Sequence, residues 1–434
     1  MLTSDYTIGM GGVKADARGC EKANQGCDRQ VVRTFALILC CGAAIAPASA
    51  QDVDLARLLA APVQIEREEP VTSVPLESRG GKLFLQASIN GEVREFLLDS
   101  GSPTVLSREF ANALGLEVVA QNTGRDANGT ELTMDFAVLD TLTIGTTVFH
   151  EVPILIHDFS GLDTGACIVG AGILGSELFP GSVWRIDTGN GQLTLAASLD
   201  DLGEVEPDVN TRLYDFGYPH APIVDYSLGD VSDKALFDTG NSAWVTLLSR
   251  VAETPAVQQE IVGGSLVTGT GSEGESAGGR SEAGALSWFT LADFRFDHDS
   301  LGAVRATTRS VPPTLVGYGI LSAYVVTLDY HGEQFLLELR DEPGPERPEP
   351  GYSIAFVGDE ARVVQLFDGS PAARAGLQLD DHVTGLAGHS LTVTDENPKC
   401  TAVRWLVQDF DSSAGADLVV LRDGVSRTIS IPQH

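Results

Sequence analysis

Two tripeptides in this chain follow apolar runs and join a carboxylate to a small hydroxyl residue and a glycine: Leu97-Leu98-Asp99-Ser100-Gly101 and Leu236-Phe237-Asp238-Thr239-Gly240. Each run leads a carboxylate out of the hydrophobic interior into a tight turn. Gly101 and Gly240 permit a backbone approach that a Cβ would obstruct, and Ser100 and Thr239 offer short hydroxyls that hold the loop. If the two turns meet, two carboxylates within about 3 Å cannot both ionise easily, and the pair keeps one proton whose titration belongs to both. Such a pair can take a proton from water on one side and give one to a carbonyl oxygen or amide nitrogen on the other. That chemistry is amide hydrolysis with water as nucleophile and no covalent intermediate.

The tripeptide alone carries little weight, because Asp163 and Asp187 also open one. Asp163 follows a polar Ser160-Gly161 loop and Asp187 sits in a Gly-Asn-Gly turn, so both are predicted to be turn residues whose carboxylates bond nearby amides. Asp99 and Asp238 differ by their place in an internal repeat. After each comes a β-branched run, Thr104-Val105-Leu106-Ser107 or Val245-Thr246-Leu247-Leu248-Ser249. Later comes Val169-Gly170-Ala171-Gly172-Ile173-Leu174 or Val316-Gly317-Tyr318-Gly319-Ile320-Leu321, and then an alternating strand pair, Val183 to Leu195 or Val325 to Leu337. Three landmarks in one order imply a duplicated β unit with an acid at the same place in each copy.

Short alternating runs between Gly, Asn and Asp, such as Lys82–Ile89, Val93–Leu98 and Val148–Ile156, predict strands and turns throughout. Gly at 47 of 434 residues supports a turn-rich, β-rich chain. The formal charge of −32 repels phosphate backbones and anionic lipid head groups, which excludes nucleic acid as a partner. Arg29 and Arg33 precede an apolar run, Phe35 to Ala46, too short to span a bilayer, and Ala48-Ser49-Ala50 supplies small residues before Gln51. Residues 1–50 therefore read as an export signal, with periplasmic or secreted destinations implied. Membrane contact is expected at most through that segment, should it remain uncleaved. Four of the six cysteines lie within it, leaving Cys167 and Cys400 in separate segments, so no disulfide framework is expected.

Leu97 to Ser102 and Leu236 to Asn241 resemble the two active-site loops of aspartic proteases. Gly172-Ile173-Leu174-Gly175 is similar to the hydrophobic-hydrophobic-Gly segment that supports such a loop in the retropepsin-like group. The likeness spans roughly residues 75 to 340. It implies a mainly β fold of two pseudo-symmetric acid-protease β-barrel lobes and an endopeptidase whose water is activated by Asp99 and Asp238. Ser100, Gly101, Thr239 and Gly240 are the implied loop supports, polypeptide is the substrate, and neither metal nor cofactor is needed. Departures are Pro103, Asn241 and, in the second support, Ser322 after Gly319-Ile320-Leu321. A decayed second lobe would require a homodimer, as in dimeric retropepsins; both loops being kept favours a monomer. A non-catalytic cell-envelope peptide-binding scaffold is the competing class. Candidate flaps, the hairpins that close over substrate in this group, are Asp126–Gly129 and the Gly-rich Gly263–Gly284.

Other motifs fail on context. Gly170 to Gly175 fits GxGxxG, but Pro180-Gly181 leaves no room for the required helix. Gly274-Glu275-Ser276-Ala277-Gly278 fits GxSxG but has no strand before it and no helix after it. His150-Glu151 lacks the second His of a zinc helix.

Pro- and acid-rich stretches at Asp200–Asn210 and Arg340–Gly351 read as linkers. The predicted segments are the signal 1–50, an N-terminal linker 51–74, lobes 75–200 and 211–340, a Pro/Glu-rich linker 341–350 and a unit 351–434. In the last, Gly369 to Leu377 (GSPAARAGL) reads as a capped short helix and Asp417 to Ile431 as a strand pair. This resembles a PDZ domain. The resemblance implies that Gly351, Tyr352, Ser353 and Ile354 take a peptide's C-terminal carboxylate on main-chain amides. Trp405, Leu406 and Phe410 fall at helical spacing, with core packing favoured over lining that groove.

Overall fold

The computed structural model describes Leu59 and residues 62–344, 351–411 and 415–432. The predicted signal 1–50 and most of the linker 341–350 lie outside the described residues.

The described chain is mainly β, as its composition and alternation imply. The predicted strand Lys82–Ile89 forms with those bounds and makes an antiparallel hairpin with Glu92–Leu98, which ends at Asp99. Glu92–Leu98 runs parallel to Gly172–Leu174, which is antiparallel to Val105–Ser107, itself parallel to Thr147–His157. The second half repeats this scheme. The hairpin Ile223–Leu228 with Val231–Asp238 lies parallel to Thr314–Gly317, which is antiparallel to Val245–Leu248, itself parallel to Val304–Arg309. The repeat read in the sequence is thus a repeat of strand pairing. Its logic is hydrophobic: the strand delivering each Asp is flanked on both sides, so its buried run Phe96-Leu97-Leu98 or Ala235-Leu236-Phe237 meets apolar neighbours all round.

The halves join through hairpins. Val183–Asp187 pairs antiparallel with Tyr324–Asp329, and their partners Gln192–Ala196 and Gln334–Leu339 flank them. The outer positions are taken by Val71–Pro75 and Val209–Tyr214. The stretch 51–74 is therefore not simply a linker, since Gln64–Arg67 and Val71–Pro75 are strands on otherwise unpaired edges. Likewise the linker Asp200–Asn210 ends inside a strand that starts at Val209. Polar residues mislead at the first of these places because an edge strand lacks a neighbour on one side. Trp184 and Phe179 meet beneath this sheet, ring centroids 4.7 Å apart.

Residues 352–431 build a second core around Phe356, Val363, Val383, Leu418 and Val420. Ser370 caps the helix Pro371–Arg374 through the Ala373 amide, as the string GSPAARAGL predicts. Its strand Glu360–Phe367 pairs with Tyr352–Val357 and also adds to Val267–Ser272 of the second half. A disulfide joins Cys167 to Cys400 across 233 positions, contrary to the expectation that these cysteines stay apart. Sequence distance says nothing about spatial distance once two units dock. Arg404 Nε donates to the Cys167 carbonyl at 3.1 Å and Lys399 Nζ pairs with Asp163 at 2.9 Å, so the thiols are brought together by a polar interface. No helix among the described residues is long and apolar enough to cross a membrane.

Behind the first support segment lies a buried acid. Glu177 is 1% exposed and accepts the Thr104 amide at 2.8 Å. Burial raises its carboxyl from 4.5 to about 7, and the bonds from Thr104 oppose the rise. An acid whose folded pKa is raised favours the folded state fully only below its unfolded pKa, so this contribution is lost as pH rises from 4.5 through about 7. Glu177→Gln should therefore match the wild type near pH 4 and exceed it by about 2 to 3 kcal/mol at pH 8. Urea unfolding across that range measures the difference; parallel curves would contradict it.

Candidate active site

The two Asp loops face each other in reciprocal contact. A Cβ built on Gly101 would lie 2.6 Å from the Asp238 carboxyl carbon, and one on Gly240 would lie 2.3 Å from Asp99 Oδ2. Each carboxylate thus rests against the glycine of the opposite loop, which is why neither position accepts a side chain. Asp99 Oδ1 accepts the Gly101 amide at 2.9 Å, and Asp238 Oδ1 accepts the Asn241 amide at 3.2 Å. Both carboxylates are half-buried.

Beneath them four hydrogen bonds cross between the loops. The Ser100 amide donates to Thr239 Oγ1 and the Thr239 amide to Ser100 Oγ, each at 3.0 Å. The hydroxyls in turn donate to the far strands, Ser100 Oγ to the Phe237 carbonyl at 2.7 Å and Thr239 Oγ1 to the Leu98 carbonyl at 2.9 Å. Both hydroxyl residues are fully buried. Every donor and acceptor of the lattice is used, so neither loop can shift without stranding buried polar groups.

The electrostatics follow from this geometry. Burial, and then the neighbouring Asp238, raise the Asp99 carboxyl from 3.8 to about 7, while Lys82 and the Gly101 amide pull the other way. A half-buried carboxyl pair of this kind keeps a proton near neutrality.

The support segments do what their sequences suggest. The Asp99 amide donates to the Leu174 carbonyl at 3.0 Å, and Gly175 packs against the Ser102–Thr104 backbone. The second half keeps equivalent support despite its departures. Asn241 bonds Thr246 Oγ1 at 2.9 Å and accepts from the Ala243 amide at 3.2 Å, and Ser322 Oγ donates to the Gly319 carbonyl at 2.7 Å. The second carboxylate therefore comes from the same chain.

The two candidate flaps meet tip to tip. Asp126 Oδ2 accepts the Gly278 amide at 2.8 Å, Ser276 Oγ accepts the Ala127 amide at 3.2 Å, and Asn128 Nδ2 donates to the Gly279 carbonyl at 3.1 Å. Arg309, which senses the charge of Asp238, donates to the Ala127 carbonyl at 2.7 Å. The GxSxG string is thus a hairpin turn. Its Glu275 carboxylate accepts three amides, those of Asp163, Thr164 and Gly165, at 2.7 to 2.9 Å. Sequence reading found neither contact, because each joins residues more than a hundred positions apart.

Asp187 is the predicted turn residue, accepting the Gly189 and Asn190 amides at 3.0 and 3.1 Å. Asp163 is not. Its carboxylate leaves its own turn for Lys399 Nζ and the Gly358 amide, 2.9 and 3.0 Å away. GxGxxG places Gly172–Leu174 in a sheet, with no helix of the required kind. His150 contacts Glu66 at 3.1 Å. No group of three or more metal-capable side chains converges among the described residues.

Gly351, Tyr352, Ser353 and Ile354 lie in the C-terminal unit, at the start of the strand Tyr352–Val357. Phe367 donates to the Gly351 carbonyl at 2.9 Å, the Tyr352 side chain is buried in the second core, and Ser353 Oγ bonds Gln365 at 2.8 Å. The strand's register shifts between Ser353 and Ile354. Trp405, Leu406 and Phe410 pack against that core, Trp405 stacking on His389 at 4.0 Å, in keeping with a packing role.

With this geometry in hand, comparison with known proteins adds one finding. Residues 85–178 match the aspartyl protease family. That segment is an aspartic-protease-like domain. The match takes in the Asp99 loop and Gly172–Gly175, and it ends before the second half. No curated protein matches the chain.

The crossed bonds between the two Asp loops predict a coupled pair. Ser100→Ala and Thr239→Ala should each lower unfolding free energy by about 2 to 4 kcal/mol. Together they should lose less than the sum, with a coupling of about 1 to 2 kcal/mol. Thr239→Ser, which keeps the oxygen, should lose under about 1.5 kcal/mol. Urea unfolding of the four proteins checks this, and strict additivity would refute the shared lattice.

Proposed function

We propose that the protein is an exported aspartic endopeptidase of the retropepsin-like group, built from two lobes in one chain, that hydrolyses peptide bonds in extended polypeptide. The observation that carries this reading is the reciprocal seating of Asp99 and Asp238 on each other's glycine. Water held between the carboxylates loses a proton to the ionised one as it attacks the carbonyl carbon. The protonated one donates to the carbonyl oxygen; the tetrahedral intermediate then collapses with cleavage of the C–N bond as the leaving nitrogen takes the proton gained from water and the hydroxyl proton returns to the other carboxylate. The meeting hairpins serve as the cover that keeps bulk water from the substrate.

Residues 351–434 are read as a PDZ-like unit that binds or senses polypeptide at Gly351–Ile354. The capped GSPAARAGL helix and the strand beginning at Tyr352 support this assignment. A disulfide between Cys167 and Cys400 is what an oxidising compartment permits, in keeping with periplasmic or secreted placement. The competing scaffold reading is disfavoured by the intact second loop, whose bonds match those of the first.

Asp99→Asn and Asp238→Asn should each lower cleavage of a denatured protein mixture by about a thousandfold or more, and a statine-type inhibitor should block the wild type. Mass spectrometry of the peptides reads the result. Full activity in Asp238→Asn with none in Asp99→Asn would refute the single-chain pair. The wild-type rate should fall as pH rises past about 7, where the proton held at Asp99 is lost.

A further inference from the structure

The reaction as described leaves one cation at the site without a task. Lys82 opens the strand Lys82–Ile89, and the register pairing Leu83 with Leu98 puts it opposite Asp99. Its Nζ donates to the Gly240 carbonyl, on the loop of the other half. Gly240 is the residue against which the Asp99 carboxylate rests. The ammonium therefore spans the junction on the Asp99 side, touching one loop through a hydrogen bond and both carboxylates through charge.

The turn behind Lys82 is held from two directions. Gly81 abuts the Ser242 side chain, and Gly80 abuts Val407 of the C-terminal unit.

An ammonium in so enclosed a place is disfavoured unless a negative charge answers it. Two carboxylates sharing one proton carry a single negative charge, so the pair and Lys82 together are neutral. A further charged group near the trio is Arg309, from Val304–Arg309, which stands by Asp238 and is answered by Glu273. Two carboxylates with no cation would favour two protons, and a doubly protonated pair has no base for water.

We propose, building on the hydrolytic reading of the pair, that Lys82 is a positioning residue whose ammonium is the fixed counter-charge keeping one of the two carboxylates ionised, while its bond to Gly240 holds the opposing loop in register. Burial pushes the Lys82 ammonium below its ordinary value, and the two Asp groups oppose part of that shift.

Removing the positive charge makes both protons of the pair harder to lose, so the singly protonated form moves to higher pH. In Lys82→Met, both limbs of the kcat/KM against pH profile should shift upward by about one to three units. Lys82→Arg, which keeps the charge, should leave the limbs within about half a unit and lower the rate only through its larger fork. Coincident profiles for wild type and Lys82→Met would overturn the proposal. A second readout does not depend on catalysis: the dependence of Tm on pH between 4 and 9. It should differ between wild type and Lys82→Met, and the difference should shrink when both carry Asp99→Asn, leaving only the coupling of Lys82 to Asp238. Should no variant cleave peptide, the hydrolytic reading fails while this readout still decides the Lys82–Asp99 coupling, and superimposable Tm curves refute it. If Lys82→Met does not fold, Lys82→Gln carries the same test.

Discussion

Two carboxyl groups brought together at a junction between chain halves repel one another, and the crossed bonds between Ser100 and Thr239 are what hold them there. Each hydroxyl accepts the other loop's amide and donates to a strand carbonyl of the other half. The arrangement is buried, so breaking any member leaves a polar atom unpaired in a dry place. The parallel strands on either side, Gly172–Leu174 and Thr314–Gly317, prevent the loops from relieving their repulsion by sliding along the chain. A proton shared by the carboxylates and the Lys82 ammonium beside them lower the electrostatic energy, and the proton is also what the proposed chemistry uses.

Around this junction the molecule is assembled by additions to sheet edges. Val71–Pro75 covers one edge of the joining sheet, Gln64–Arg67 covers an edge of the first half, and Glu360–Phe367 extends the sheet that carries the second hairpin. The C-terminal unit thereby reaches both halves: Val267–Ser272 by strand pairing, and the 163–167 turn by Lys399, the Gly358 amide and the disulfide. Glu275 closes the circuit by binding that same turn from the second hairpin. Hairpin tips, turn and C-terminal unit form one contiguous set of polar contacts, so the hairpin tips and the C-terminal unit are mechanically linked. This is a structural basis on which a polypeptide held at the C-terminal unit would be felt at the cleft.

Much of the core and the acid pair was legible in the linear text. Alternation gave Lys82–Ile89 its bounds, and the duplicated landmarks singled out Asp99 and Asp238 from four similar tripeptides. Local rules were sufficient there because apolar run, turn and glycine are neighbours along the chain. The same rules misjudged Asp163, whose turn-like setting hides a partner at Lys399, and they passed over Lys82, an ordinary strand-start lysine until Gly240 arrives opposite it. They also treated 51–74 as a connector, since polar edge strands such as Gln64–Arg67 lack the full apolar signature.

Composition, periodicity and repeat thus determined the fold class, the strands and the identity of the paired acids, because each follows from residue type and short-range spacing. Tertiary structure alone decided which charges meet: the proton held near Asp99, the ammonium beside it, the cysteine bond and the hairpin contacts. Those depend on distances of a few ångströms between positions far apart in sequence, and Coulomb and desolvation energies vary too steeply with distance for any pattern along the chain to encode them.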